Sequence, residues 1–107
     1  MNEDAVFKAL ADASRRQLLD RLHDRSGQTL SELCEGLDMS RQAVTKHLTL
    51  LEEANLVASK KQGREKLHFL NPEPIQQIAD RWMGKFDPGR LQALANLKRA
   101  LEGDPDP

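Results

Sequence analysis

The chain has a single cysteine, a single tryptophan, three phenylalanines and no tyrosine in 107 residues. One cysteine, Cys34, excludes an internal disulfide framework. So few rings disfavour a binder of RNA or single strands, which stacks bases on aromatic side chains. No apolar run approaches the ~18 residues of a membrane span. The opening "MNEDAVFKAL" is acidic and lacks an apolar signal core. These absences predict a cytoplasmic protein with no membrane partner. There is no glycine-rich phosphate loop and no Ser/His/Asp set with supporting motifs. The Glu52–Glu53 pair reads as a solvated helix end. An enzyme is therefore not expected.

The length fits one domain, predicted over residues 1–102, with "GDPDP" (103–107) as a frayed tail. A net charge of −1 argues against a partner rich in phosphate, but the distribution reverses that argument. Residues 1–39 carry −3, residues 40–70 carry +3 and residues 71–107 carry −1. The positive charge sits in one stretch of an otherwise acidic body, the footprint of a local phosphate-binding surface.

Hydrophobic spacing predicts six helices and one hairpin. The first covers about Asp4–Ala11, with Val6, Phe7 and Leu10 facing in. Asp12 caps a second, about Ala13–Asp24, with Leu18, Leu19 and Leu22 inward. "TLSE" is a capping box that opens a third helix. Its apolar stripe is Leu30, Leu33, Cys34 and Leu37, ended by Gly36 and Asp38. Ser40 caps a fourth after a very short turn, which makes a helix-turn-helix candidate.

In that fourth helix Val44, Leu48 and Leu51 fall within about 60° of one another. Gln42, Lys46 and Thr49 point the other way, Thr45 flanks them, and Arg41 stands in the first turn. His47 lies beside the apolar arc and is read as packing at the helix flank. Val57–Lys61 and Lys66–Leu70 then form a hairpin around "QGRE", with Leu67 and Phe69 on a buried face and Lys66 and His68 on a wet one. A basic hairpin directly after a helix-turn-helix is a wing. A fifth helix starts near Pro74, with Ile75, Ile78, Ala79, Trp82 and Met83 as its apolar face. After "GKFDPG", read as a packing corner, a sixth covers about Pro88–Leu101 and carries Leu91, Leu94, Leu97 and Leu101. The fold class is mainly α with a small β-hairpin, a winged helix-turn-helix ordered α-α-α-α-β-β-α-α.

Three segments, "LADASRRQLLDRL", "SRQAVTKHLTLLEEANLV" and "KKQGREKLHFLNP", agree in order and spacing with one family. Together they resemble the ArsR/SmtB winged-helix repressors over about residues 5–82. One departure is "DASRR", where many relatives carry proline after the Asp. The resemblance implies a homodimer, its subunits joined through first and last helices, that binds a double-stranded DNA operator with two recognition helices in successive major grooves. Val6, Phe7, Leu10, Leu91, Leu94, Leu97 and Leu101 are the candidate dimer edges.

The candidate contacts follow from groove chemistry. Ser40 caps a helix whose positive dipole end can meet phosphate. Gln42 can pair bidentately with adenine and Arg41 with guanine. Thr45 can donate to a base or phosphate, or lay its methyl on thymine; Lys46 suits phosphate, and Thr49 extends the same edge. Family position aligns Arg41, Gln42, Thr45 and Lys46 with DNA-contacting residues. The wing offers Lys60, Lys61, Arg64 and Lys66, with Arg64 at the turn suited to a narrow minor groove.

No metal site and no cofactor are expected. Family metal sensors place Cys-x-Cys on the third helix, but Cys34 faces Gly36 at the partner position. A second family site uses Asp and His on a late helix; here Asp80 is followed by Trp82, and no histidine follows His68. "GREKLHFLNP" and the tryptophan-bearing fifth helix resemble a metal-independent branch. Cys34 completes an apolar stripe and is read as a core thiol, with a redox-switched repressor as the alternative. A winged helix used as a protein-interaction module is the other rival, disfavoured by the basic wing. No pattern in the chain specifies an effector, small molecule or protein.

Overall fold

The computed structural model describes residues 2–86 and 88–102. Its elements are α1 (Glu3–Leu10), α2 (Ala13–Asp24), α3 (Leu30–Cys34), α4 (Arg41–Glu53), β1 (Val57–Gln62), β2 (Glu65–Leu70), α5 (Glu73–Met83) and α6 (Pro88–Leu101). The order is the one predicted, and most boundaries fall within a residue or two. The predicted tail, residues 103–107, and Asp87 of "GKFDPG" lie outside the described residues. Contacts divide the chain into two compact units, the first ending at Gln76 and the second starting at Gln77. The sequence alone predicts one domain over residues 1–102.

Each helix of the first unit begins at a side chain that satisfies its free N–H groups. Asn2 accepts from Ala5 N at 3.2 Å. Asp12 accepts from Ser14 N at 2.8 Å and Arg15 N at 3.2 Å. Thr29 and Glu32 form the reciprocal capping box. Ser40 accepts from Ala43 N at 3.1 Å. The predicted third helix is shorter than its stripe. It ends at Cys34, and Gly36 takes a left-handed φ of 73°, so Leu37 lies past the helix.

α4 ends in a Schellman motif. Leu56 N donates to Leu51 O at 2.9 Å and Asn55 N to Glu52 O at 3.0 Å. Asn55 holds φ 62°, a conformation asparagine tolerates better than most side chains. Leu51 and Leu56 are fully buried, as that motif's hydrophobic contact requires. Asn71 then pins the end of β2 to the same corner, through Asn71 N to Leu56 O and Asn71 Nδ2 to Asn55 O, both 2.8 Å.

The core gathers Val6, Leu18, Leu22, Leu33, Val44, Leu51 and Leu56, all wholly inaccessible. α4 packs against α1, α2, α3 and β1, so it is the axle of this unit. β1 and β2 pair antiparallel from Val57↔Leu70 to Gln62↔Glu65, leaving Gly63 and Arg64 as the turn.

Two sequence expectations change. Val6, Phe7 and Leu10 are expected to face in and to serve as a dimer edge; Phe7 instead stands 49% exposed, while Val6 is 0% exposed and drops out of the dimer edge. A side chain already enclosed by its own chain has no surface to offer a second copy. His68 was placed on the wet face of β2, yet it is 4% exposed. The cause is a third extended segment. Gln28 bridges His68, with Gln28 N donating to His68 O at 3.2 Å and His68 N to Gln28 O at 2.8 Å. The chain before α3 thereby covers a side of β2 that a two-stranded hairpin leaves open.

In the second unit α6 carries Leu91, Leu94, Leu97 and Leu101, with exposures from 40% to 78%. Trp82 and Met83, at the end of α5, are also exposed, and the Lys85 ammonium sits 4.0 Å from the Trp82 ring centre. A unit this small cannot bury its own apolar edge. Among the described residues no helix is long and apolar enough to cross a membrane.

Candidate nucleic-acid interface

The two edges of α4 separate sharply. Val44, Leu48 and Leu51 are buried; Arg41, Gln42, Thr45, Lys46 and Thr49 are exposed. The structure brings all five onto one outward edge, with Ser40 at its N-terminal end. Their hydrogen bonds sort them further. Arg41 Nη1 donates to Ser31 Oγ at 3.2 Å, which steers the guanidinium toward α3. Thr45 Oγ1 donates to Arg41 O and Thr49 Oγ1 to Thr45 O, both at 3.0 Å. Their hydroxyl protons are thus engaged by the helix itself. That leaves Thr45 its methyl and oxygen lone pairs, so thymine contact fits better than donation to phosphate.

The wing places Lys60, Lys61, Arg64 and Lys66 on the surface. Gly63 holds φ 64° with open space around it, so glycine serves the backbone of the turn there. Lys61 stands opposite Lys66, a repulsive cross-strand pair. It is relieved from another element: Lys66 Nζ lies 3.4 Å from Glu52 Oε1 on α4. Lys66 therefore works as a brace between wing and recognition helix, a role that the hairpin's sequence alone does not reveal. Between α4, the wing and the start of α3 runs an open groove of about 430 Å³, lined by Arg41, Thr45, Thr49, Glu52, Arg64 and Lys66 among others. Its lining mixes the cations Arg41, Arg64 and Lys66 with the acids Glu52 and Glu65 and the apolar Leu30 and Leu48.

His68 fixes the base of the wing. Its Nδ1 lies 2.9 Å from Gln28 O, a carbonyl that can only accept, so Nδ1 carries the proton. Its Nε2 faces Glu52 Oε1 at 4.0 Å. The Gln28 side chain turns back to cap α2, donating to Arg21 O at 2.9 Å and Arg25 O at 2.6 Å.

The "SRR" of the first motif also acquires a task. Arg15 Nε donates to Ala9 O at 2.8 Å, Arg15 Nη2 to Lys8 O at 3.0 Å and Arg16 Nη1 to Leu10 O at 2.6 Å. Two arginines thus cap the carbonyl end of α1 from the first turn of α2. The readable signal is a two-residue joint with paired arginines in the first turn that follows it. Two acids of the scaffold ionise below the usual carboxylate range. Asp12 is held down mainly by the Arg15 backbone N–H, and Glu32 mainly by the Thr29 backbone N–H.

Comparison with known proteins now bears on this geometry. A family model described as a helix-turn-helix domain matches residues 10–60. An uncharacterized HTH-type transcriptional regulator of Bacillus subtilis (strain 168), YuzN, is 42% identical over 88 residues, covering 77% of this chain and 96% of the relative. The arsenical resistance operon repressor of Escherichia coli (strain K12) is 34% identical, covering 88% of this chain and 83% of that protein. Among solved structures, an ArsR-like transcriptional regulator from Rhodococcus sp. RHA1 matches with a TM-score of 0.70 at 34% identity, covering 92% of this chain and 91% of that one. The chain belongs to the ArsR/SmtB family. It is a DNA-binding winged helix-turn-helix regulator, of a class that regulates transcription and is not enzymatic.

Within this ArsR/SmtB chain, Cys34 is half-buried and unpaired, at the end of α3. Among the described residues no three His, Cys, Asp or Glu side chains come together as a metal site would need. The predicted dimer edges fall in both units: Phe7 and Leu10 in the first, and the α6 leucines in the second.

Proposed function

We propose that this chain is an operator-binding repressor that acts as a homodimer in the cytoplasm and belongs to the metal-independent branch of its family. One observation carries the reading. The exposed edge of α4 has no carboxylate through Thr49, and it stands beside a basic wing across a groove. Most surface helices mix charges of both signs. This one presents hydrogen-bonding and cationic groups to whatever enters.

In this reading α4 lies in the major groove. Gln42 and Arg41 read base edges, Thr45 places its methyl on a thymine, and Lys46, Thr49 and the Ser40 end meet the backbone. Lys60, Lys61 and Arg64 follow the adjacent backbone or minor groove, with Lys66 holding the wing at the correct distance. The dimer forms through Phe7 and the leucine edge of α6, which a lone subunit leaves in water, together with the half-buried Leu10. A mobility-shift titration tests this. Duplexes enriched by the protein from a randomised library are compared with scrambled duplexes at several salt concentrations. Preference for the enriched duplex, with affinity falling steeply as salt rises, supports the reading. Equal binding to both duplexes refutes it.

A further inference from the structure

His47 sits on α4 between Lys46 and Leu48, half-buried. Its Nδ1 lies 3.3 Å from Arg15 Nη1. Arg15 is only 12% exposed, and its other two nitrogens are fixed on Ala9 O and Lys8 O, the carbonyl end of α1. One planar guanidinium thus connects the end of α1 with the flank of the recognition helix. We propose that the Arg15–His47 pair is a positioning strut for DNA binding, holding α4 in its reading orientation only while His47 is neutral. The proposal rests on the reading of α4 as the DNA-contacting helix.

The chemistry of the two side chains sets the condition. A guanidinium has donors and no acceptor. The Nδ1 of His47 must then present its lone pair, with any ring proton on Nε2. A second proton converts Nδ1 into a donor facing a donor and puts two positive charges 3.3 Å apart. The facing groups from α2 are Arg15 and the N-cap Asp12, whose Oδ2 lies 4.0 Å from Arg15 Nη1. α1 meets the strut through the backbone carbonyls that hold Arg15. Asp12 attracts an imidazolium, but Arg15 stands at hydrogen-bond distance and cannot leave without uncapping α1. Proton uptake therefore releases the α4 end of the strut while the α1 end stays fixed.

The contrast between two His47 variants tests the strut. Asparagine keeps an acceptor near the Nδ1 position and cannot titrate; leucine keeps bulk and loses the acceptor. With the enriched duplex as probe near pH 8, His47→Leu is expected to bind about tenfold more weakly, and His47→Asn to stay within about threefold of the natural protein. Thermal melts of both variants check that the fold is intact. From about pH 8 to about pH 5.5, the natural protein is expected to lose affinity that His47→Asn retains. Equal binding by His47→Leu at the higher pH, or parallel pH profiles for the natural protein and His47→Asn, would overturn the strut. Arg41→Ala and Gln42→Ala run alongside. If they weaken binding and His47→Leu does not, only the strut falls; if neither weakens it, the α4 reading falls with it.

Discussion

α4 and α6 are two helices of almost equal length, each with leucines repeating at helical spacing, and they meet opposite fates. In α4 the apolar side chains Val44, Leu48 and Leu51 are at most 4% exposed. In α6 the leucines stand 40% to 78% in water. The residue types are the same, so burial is decided by the company a helix keeps. α4 is surrounded by three helices and a strand, and its inner edge is used up inside one subunit. α6 belongs to a small second unit and retains an unspent apolar edge. One helix therefore stabilises the fold with its apolar edge and keeps its polar groups at the surface. The other has its leucines available for association.

Identical truncations should split these two cases. Leu51→Ala is expected to lower stability by about 2–5 kcal/mol, since it opens a cavity in a closed core. Leu97→Ala is expected to change the melting of dilute protein by no more than about 0.5 kcal/mol. It should instead shift the sedimentation equilibrium toward monomer. A large stability loss from Leu97→Ala in dilute protein would erase the comparison.

The outer edge of α4 supplies the next contrast. Gln42→Ala should leave melting unchanged and reduce discrimination at one base position per half-site by about 1–3 kcal/mol. Binding to a set of single-base operator variants measures it, and a uniform loss across all variants would remove Gln42 from base readout. Thr29→Ala breaks the capping box beneath the groove and should lower stability by about 1 kcal/mol in a chemical melt. Acid should act at the same caps. Asp12 and Glu32 ionise more readily folded than unfolded, so their stabilisation is complete above the usual carboxylate range and is lost as pH falls through it. Melting temperature should therefore drop below about pH 4.5, and less steeply in Asp12→Asn. The smallest effect is expected at the wing tip. Arg64→Ala should weaken all sequences alike and reduce the salt slope by about 1 per half-site.

Much of the fold could be read from local signals. The caps at Asp12, Thr29 and Ser40 act within a few residues of themselves, and each was legible as a residue type before an apolar run. The outward edge of α4 was legible for the same reason, because helical periodicity separates two faces without reference to the rest of the chain. The misread residues all depend on distant partners. His68 is buried by Gln28, forty residues earlier in the chain, so strand alternation could not place it. Val6 is enclosed by helices that follow it. Lys66 is a wing cation by sequence, and its pairing with Glu52 depends on a residue fourteen positions earlier in the chain. Arg15 and Arg16 carry no readable role in their own helix, because the carbonyls they cap belong to the end of α1.

The open space around Gly63 has a consequence for the history and engineering of this chain. A wing tied to the body through Lys66–Glu52 and His68–Gln28, with open space beside Gly63 at its turn, can accept added residues there without disturbing the body. New residues at the tip would alter how far the protein reaches along a duplex while leaving the recognition helix as it is. On the proposed reading, target range and target identity are separately adjustable, one at a hairpin turn and the other on a helix edge.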